Sequence, residues 1–273
     1  MRIKISHEMS FAYSPPAKSV IQLLRLTPRS SDGQHVLRWR ISCDVDCVLR
    51  QSEDSLGNIV HTLSYARPIE QIGVTAEGEV ETFDTAGIIR GAVEPLAPDI
   101  YLRASPRAEA NGALREFAED TARGGDAILD KLHALMTAIY EAMTHDADLA
   151  RSPTLAAEAF ALRRGAAQDF AHIFIACARW LGVPSRYVSG FLMRADGEAP
   201  ESCHAWAEAY VPVIGWVGFD CCNSICVDEN YVRVAIGFDQ LSAAPARGAR
   251  QGGGEETIKT ALKIVQAQSQ RQS

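Results

Sequence analysis

No stretch of this sequence is apolar for long enough to span a membrane, and its first ten residues hold Arg2 and Lys4 without a continuous apolar run. Neither a membrane span nor a secretory leader is expected, and the expected location is the cytoplasm. Positive charge is also scarce. Lys and Arg number 27 against 34 Asp and Glu, a net charge of -7. Without a basic field to gather phosphates, nucleic acid and membrane surfaces are not expected partners. No calcium loop of the D-x-D-x-D-G type occurs. Seven cysteines, an odd number in a chain of 273 residues, argue against a disulfide framework. Cys221, Cys222 and Cys226 crowd one stretch, yet an adjacent pair is poor ligand spacing and no second C-x-x-C or H-x-x-x-H follows. No metal and no cofactor are expected.

What remains is a globular composition, 47% hydrophobic and 22% charged, long enough for one or two domains with ample core. Ile3, Ile5, Met9, Phe11 and Tyr13 alternate with polar residues and predict a half-buried strand over 2–13, ended by Pro15 and Pro16. A short apolar strand follows over 20–27. Leu37, Trp39, Ile41, Cys43, Val45, Cys47 and Leu49 alternate in the same way. If they lie on one strand, Cys43 and Cys47 stand about 13 Å apart. Two further strands, over 59–65 and 72–83, complete an expected β-sandwich spanning 1–88. Residues 89–111 are proline-rich and aperiodic and read as a linker. Ile128, Leu132, Leu135, Ile139 and Met143 predict an amphipathic helix that Asp126 can cap.

The most informative stretch is 164–193. Gly165 breaks the chain, and a helix apolar on nearly every face then runs to Gly182 and Pro184. A strand follows from Arg186 to Met193, then a polar loop over 194–202. His204, Trp206, Glu208 and Tyr210 alternate with alanines, so they share one face of a strand. Pro212 to Gly215 turns the chain, and the next strand ends at Asp220, where an antiparallel pairing would bring Asp220 beside His204. Residues 243–255 read as a flexible segment and 258–264 as a final strand.

The segments G-A-A-Q-D-F-A-H (165–172), L-G-V-P-S-R-Y-V-S-G (181–190), H-A-W-A-E-A-Y-V (204–211) and G-W-V-G-F-D (215–220) resemble the bacterial transglutaminase-like cysteine peptidase family. D-S-L-G-N-I-V-H (54–61) and L-R-L-T-P-R (24–29) resemble the β domain that precedes its catalytic core. The resemblance implies an α+β fold: an N-terminal β-sandwich, then a papain-like transglutaminase core over 112–240 in which a nucleophile helix packs on an antiparallel sheet. Residues 229–239 resemble a further strand of that core, and residues 241–273 follow as a flexible segment with a final strand. The resemblance also implies a Cys–His–Asp triad acting on peptide or isopeptide amides, with a peptide or protein as partner.

Carried over residue by residue, His204 is the general base and Asp220 its orienting carboxylate. The nucleophile position is Ala167. Gln168 and Trp206 are candidates for substrate or oxyanion contacts. Asp169 is read as a helix cap and His172 as a packing or hydrogen-bonding residue. A methyl group forms no acyl-enzyme, so the chain is expected to be inactive as written. Two histories fit: an inactivating replacement of a cysteine, or a pseudoenzyme that binds what its relatives cut.

Overall fold

The protein is described by a computed structural model over residues 1–124, 127–151, 154–194 and 203–267. Strands β1 (Arg2–Thr27), β2 (Gln34–Cys43), β3 (Val48–Glu53), β4 (Ile59–Tyr65) and β5 (Ile69–Thr82) come first, then the short β6 (Ile88–Ile89). Helices α1 (Gly112–Ala122) and α2 (Ile128–Ala142) follow. Next come β7 (Thr144–His145), α3 (Ala156–Leu162), β8 (Arg164–Gly165) and α4 (Ala167–Trp180). The second half holds β9 (Ser185–Leu192), β10 (His204–Val211), β11 (Gly215–Asp220), β12 (Ile225–Cys226), β13 (Tyr231–Gly237), α5 (Gln240–Ala243), β14 (Ala246–Gly252) and β15 (Glu255–Gln266). The fold is α+β: an N-terminal antiparallel sheet, then helices packed on a second antiparallel sheet.

The N-terminal sheet is organised by one strand. The stretches 2–13 and 20–27, read separately from sequence, form the single strand β1. Its first half pairs with β5 and β15, its second with β4 and β14. Prolines cannot donate to a ladder, and here Pro15 and Pro16 fall where pairing with β5 skips from Ala12 to Ala17. Both halves close over one apolar core containing Phe11, Ile72 and Val74 from one side and Leu24, Leu26 and Leu63 from the other.

The alternation over 37–49 is two strands. Asp44 turns the chain: its carboxylate accepts from the Gly73 N–H at 2.7 Å while its own N–H donates to the Gly73 carbonyl at 3.1 Å. Cys43 and Cys47 flank this bend, and their thiols interact. The 13 Å separation of a continuous strand does not hold. Burial first, then Cys47, pushes the Cys43 thiol up to about 12.

The expected capping residue Asp126 and most of the 194–202 loop lie outside the described residues. Residues 243–255, read as flexible, carry β14. The linker segment is packed down: Tyr101 is fully buried against Trp216 at 5.2 Å, and β6 pairs with β11. No described helix is long and apolar enough to cross a membrane.

The second sheet runs β12-β11-β10-β9-β13, with β6 added at β11. Its two faces differ as the alternation of β10 requires. Ala205, Ala207 and Ala209 lie in the cluster formed with α4, where small side chains let a helix approach closely. Trp206 lies in the opposite cluster with Tyr231, Trp216 and Tyr101. Residues Gln168 to Arg179 of α4 are all buried, under α1, α2 and α3. Phe174 stacks on Phe219 at 5.1 Å, a contact worth about 0.5–1.5 kcal/mol beyond its area. Ile3, Ile5, Val80 and Leu262 join this cluster, so the N-terminal sheet and the second sheet share one core. The helix ends because Gly182 adopts φ +78°, which lets the Val183 N–H reach the Ala178 carbonyl at 2.9 Å.

Candidate active site

The candidate residues stand at the start of α4 and at the ends of β10 and β11. Ala166 is extended at φ -86°, ψ 172°, and the helix begins at Ala167. Asp169 Oδ2 reaches back to the Ala166 N–H at 2.8 Å, so the cap expected of Asp169 is present as a side-chain bond. Its other oxygen, Oδ1, is buried without a partner among the described residues. Burial therefore raises this carboxyl to about 6.

His204 opens β10 and Asp220 closes β11. His204 Nε2 meets Asp220 Oδ2 at 2.6 Å, with the carboxylate side chain 1% exposed and the imidazole 15%. The carboxylate is held from every side. Tyr231 Oη donates to Oδ2 at 2.7 Å, and so does Asn223 Nδ2 at 2.7 Å. The backbone N–H groups of Cys222 and Asn223 donate to Oδ1 at 2.9 and 3.3 Å. Burial alone would raise the Asp220 carboxyl. The His204 charge and the hydrogen bonds from His204, Tyr231 and Asn223 outweigh it and keep the carboxyl below its ordinary value. With Nε2 committed to the carboxylate, Nδ1 is the imidazole nitrogen left for a reacting group.

His145 connects the two ends. Strand β7 pairs in parallel with β8, placing His145 opposite Gly165, two residues before Ala167. Its ring lies 6.4 Å from Phe170 in α4. Burial lowers the His145 pKa first, and the charges of His204 and Arg194 lower it further. Nothing in the spacing of the sequence marked it. Tyr231 and Asn223 were equally unmarked, although Asn223 stands where a turn-closing Asn is common.

The remaining candidates are placed as follows. Gln168 is buried, and its Oε1 accepts from Gln240 Nε2. Trp206 is 2% exposed, edge-on to Tyr231 at 5.4 Å, and its Nε1 has no partner among the described residues. It backs His204 from the core side. His172 is fully buried, its ring tilted against Tyr187 at 5.1 Å, and its Nε2 accepts from the Gln240 N–H at 3.1 Å. Burial lowers it to about 3 and keeps it neutral.

The thiols of α4 and of the chain after it are raised by burial. Cys203 lies 3.8 Å from His7 Nδ1, but burial pushes its thiol up to about 12 and lowers His7 to about 4, a neutral pair. Burial likewise raises Cys177 and Cys222 to about 12, and holds Cys221 well above its ordinary value. Among the described residues no three His, Cys, Asp or Glu side chains are grouped to hold a metal.

Behind the site, β10 carries a buried charge cluster. Arg186 Nε donates to Glu208 Oε2 at 2.6 Å and Arg233 Nε to Oε1 at 2.7 Å. Arg186 also makes a two-pronged pair with Glu94, at 2.5 and 2.8 Å, and lies 3.8 Å over the Trp216 ring. Burial would raise Glu208, but the two arginines overcome it and hold the carboxyl down at about 2.

Comparison with known proteins adds the following. Residues 3–81 match the family described as Bacterial transglutaminase-like N-terminal region, and residues 115–221 match the Transglutaminase-like superfamily. An uncharacterized protein of Mycobacterium leprae is 27% identical over 290 residues, covering 97% of this chain and 98% of that one. An uncharacterized protein of Mycobacterium tuberculosis is 29% identical over 275 residues, covering 90% of this chain and 87% of that one. A solved structure from Cytophaga hutchinsonii, described as a candidate cysteine protease, superimposes with a TM-score of 0.79 at 20% identity, covering 98% of this chain and 91% of that one. That likeness establishes the fold.

Proposed function

We propose, from the premise that this chain joins a bacterial transglutaminase-like N-terminal region to a transglutaminase-like core, that its cleft receives a peptide or isopeptide amide without forming an acyl-enzyme. Thiol-mediated hydrolysis or acyl transfer needs a thiolate, an imidazole to move protons, a carboxylate to orient that imidazole and N–H donors for the oxyanion. One observation carries the reading. His204 and Asp220 are paired at 2.6 Å with every oxygen of the carboxylate engaged, while α4, which the resemblance makes the nucleophile helix, begins with the methyl group of Ala167. On this reading the chain keeps the groups that move protons and lacks the atom that forms the bond. In a serine-protease triad, removal of the nucleophile alone costs about six orders of magnitude in kcat. The natural partner is then a peptide or protein held in the cleft and released unchanged.

The test compares the chain with its Ala167→Cys variant on a panel of peptide anilides and of glutamine peptides supplied with an amine. The variant is expected to accumulate an acyl-enzyme visible by intact mass and to turn over. The parent is expected to bind the same peptides, competing for them without turning them over. Turnover by the parent at the variant's rate would overturn the reading, as would failure of the parent to bind any peptide that the variant processes.

A further inference from the structure

Strand β13 is the edge of the second sheet, with β9 on its inner side. An open edge presents unpaired N–H and C=O groups. On β13 two of these positions are filled by side-chain amides from the N-terminal sheet. Gln34 Oε1 accepts from the Arg233 N–H at 2.8 Å, and Gln34 Nε2 donates to the Arg233 carbonyl at 2.8 Å. Asn58 repeats the arrangement at Ile236: its Oδ1 accepts from the Ile236 N–H at 2.8 Å and its Nδ2 donates to the Ile236 carbonyl at 2.9 Å. Each carboxamide does what the peptide group of a neighbouring strand would do.

Both amides are fixed in orientation because both donor hydrogens are used. The second Gln34 hydrogen goes to the Arg29 carbonyl at 2.6 Å, and the second Asn58 hydrogen to Asp54 Oδ2 at 3.1 Å. Asp54 is itself held by Arg25 Nε at 3.0 Å. Thr82 adds a third grip, its hydroxyl donating to the Glu229 carbonyl at 2.5 Å just before β13 begins. Gln34, Asn58 and Thr82 are all buried.

The gripped positions bracket a defect. Pairing of β13 with β9 shifts register between Arg233 and Ala235, which leaves Val234 as a bulge residue. The bulge moves the strand out of phase, so that Tyr231 and Ile236 share the face of Trp206, while Val232, Val234 and Ala235 face α4. Bulged strands bend easily, and the two amides pin this one on either side. Two residues before Arg233 stands Tyr231, whose hydroxyl holds Asp220 Oδ2, the oxygen that His204 also meets.

We infer that Gln34 and Asn58 are positioning residues of the candidate active site. They fix the bulged edge strand from the N-terminal sheet and, through Tyr231, aim the Asp220 carboxylate at His204. The inference rests on the reading of His204 and Asp220 as a working pair, and it gives the N-terminal sheet a part in the site that no proximity to Ala167 would suggest.

The test uses the whole chain and the ring-nitrogen NMR shifts of His204, which report which nitrogen carries the proton. The parent is expected to hold the Nε2–H form that Asp220 selects. Gln34→Met, Asn58→Leu and their combination are expected to mix the two tautomers, and Tyr231→Phe to do the same. Gln34→Met alone serves if the double variant fails to fold. A thermal midpoint that falls while the His204 shifts stay unchanged would reduce the two amides to mere structural glue and overturn the inference. A parent without the Nε2–H form would overturn it as well. Failure of the functional reading is seen separately, in Ala167→Cys, as absence of acyl-enzyme with the His204 tautomer intact.

Discussion

Tyr231 Oη and His204 Nε2 meet on the same atom, Asp220 Oδ2, at 2.7 and 2.6 Å. One donor orients the carboxylate and the other is oriented by it. The phenol pays for this position with its acidity: burial first, then the Asp220 charge, raises the Tyr231 pKa. Tyr231→Phe keeps the ring packing against Trp206 and removes one hydrogen bond to a charged group, a loss of about 1.5–3 kcal/mol. Urea denaturation of the variant at pH 7 should show a decrease of that order. An unchanged midpoint would mean that Asn223 and the two backbone donors suffice.

Reactivity at position 167 follows from the helix start. A thiol placed there by Ala167→Cys sits at the N-terminus of a 14-residue helix and is expected to ionise well below the free-thiol value of about 8.5. Iodoacetamide labelling of that residue between pH 5 and 9 should be fast in the acidic half of the range. Adding His204→Gln should slow it and move the profile upward. Labelling with an ordinary thiol profile in both variants would show that the helix end and the imidazole do not act on position 167.

The charge cluster on β10 gives a prediction of opposite kind, about stability and not chemistry. Glu208 and Arg186 are each fully buried, and Glu208 serves both Arg186 and Arg233. Glu208→Gln leaves two guanidinium groups facing a neutral amide. Breaking a buried pair from one side typically costs about 3–5 kcal/mol. The cost should be seen as a lowered urea midpoint with the slope unchanged. Replacement of all three charged residues by apolar ones of similar volume should recover much of it.

Stability should fall on mild acidification. Burial lowers His7 to about 4 and His172 to about 3, so the unfolded chain takes up two protons below about pH 6.5 that the folded chain refuses. Asp169 works the other way. Burial raises it to about 6, so between about pH 4 and 6 the folded chain keeps a proton that the unfolded chain releases. Among these three groups the balance is one proton in favour of unfolding, a rise in stability of about 1.4 kcal/mol per pH unit from pH 4 to 6, and the lowered His61 and His145 add to it. Asp169→Asn removes the opposing proton and should steepen the slope by about 1.4 kcal/mol per pH unit. It should also stabilise the chain more at pH 8 than at pH 4.5. A slope unchanged by the substitution would show that Asp169 is ionised throughout.

Much of the site is legible in the sequence because it is built from regular elements. The alternation of Ala205, Ala207 and Ala209 with Trp206 and Glu208 states which face of β10 meets a helix, and both clusters follow it. The near-complete apolarity of α4 states that it is central. What stays hidden depends on contacts distant in sequence. His145 reaches the site through the two-residue parallel pairing of β7 with β8. Tyr231 reaches it from an edge strand, and Gln34 from 199 residues away. The composition of β14 reads as flexible for a physical reason. Its strand is bonded to β1 through the backbone, and a Cβ at Gly248 would stand 2.3 Å from the Ile21 carbonyl oxygen. Glycine marks close approach there, not freedom.

The pairing of β1 with β15 runs without a break from Ile3 opposite Gln266 to Ser14 opposite Glu255. In a chain made from its N-terminus onward, this places a temporal condition on folding. Until β15 is made, the first half of β1 has a neighbour, β5, on one side only, and its other edge waits for β15 to leave the ribosome. Until then the nascent protein exposes a long, alternately apolar ribbon that any extended segment could join. Among the described elements the N-terminal sheet thus begins first and closes last. A fragment cut after residue 88 would carry that raw edge permanently, and a circular permutant joining residue 267 to residue 1 would remove the delay.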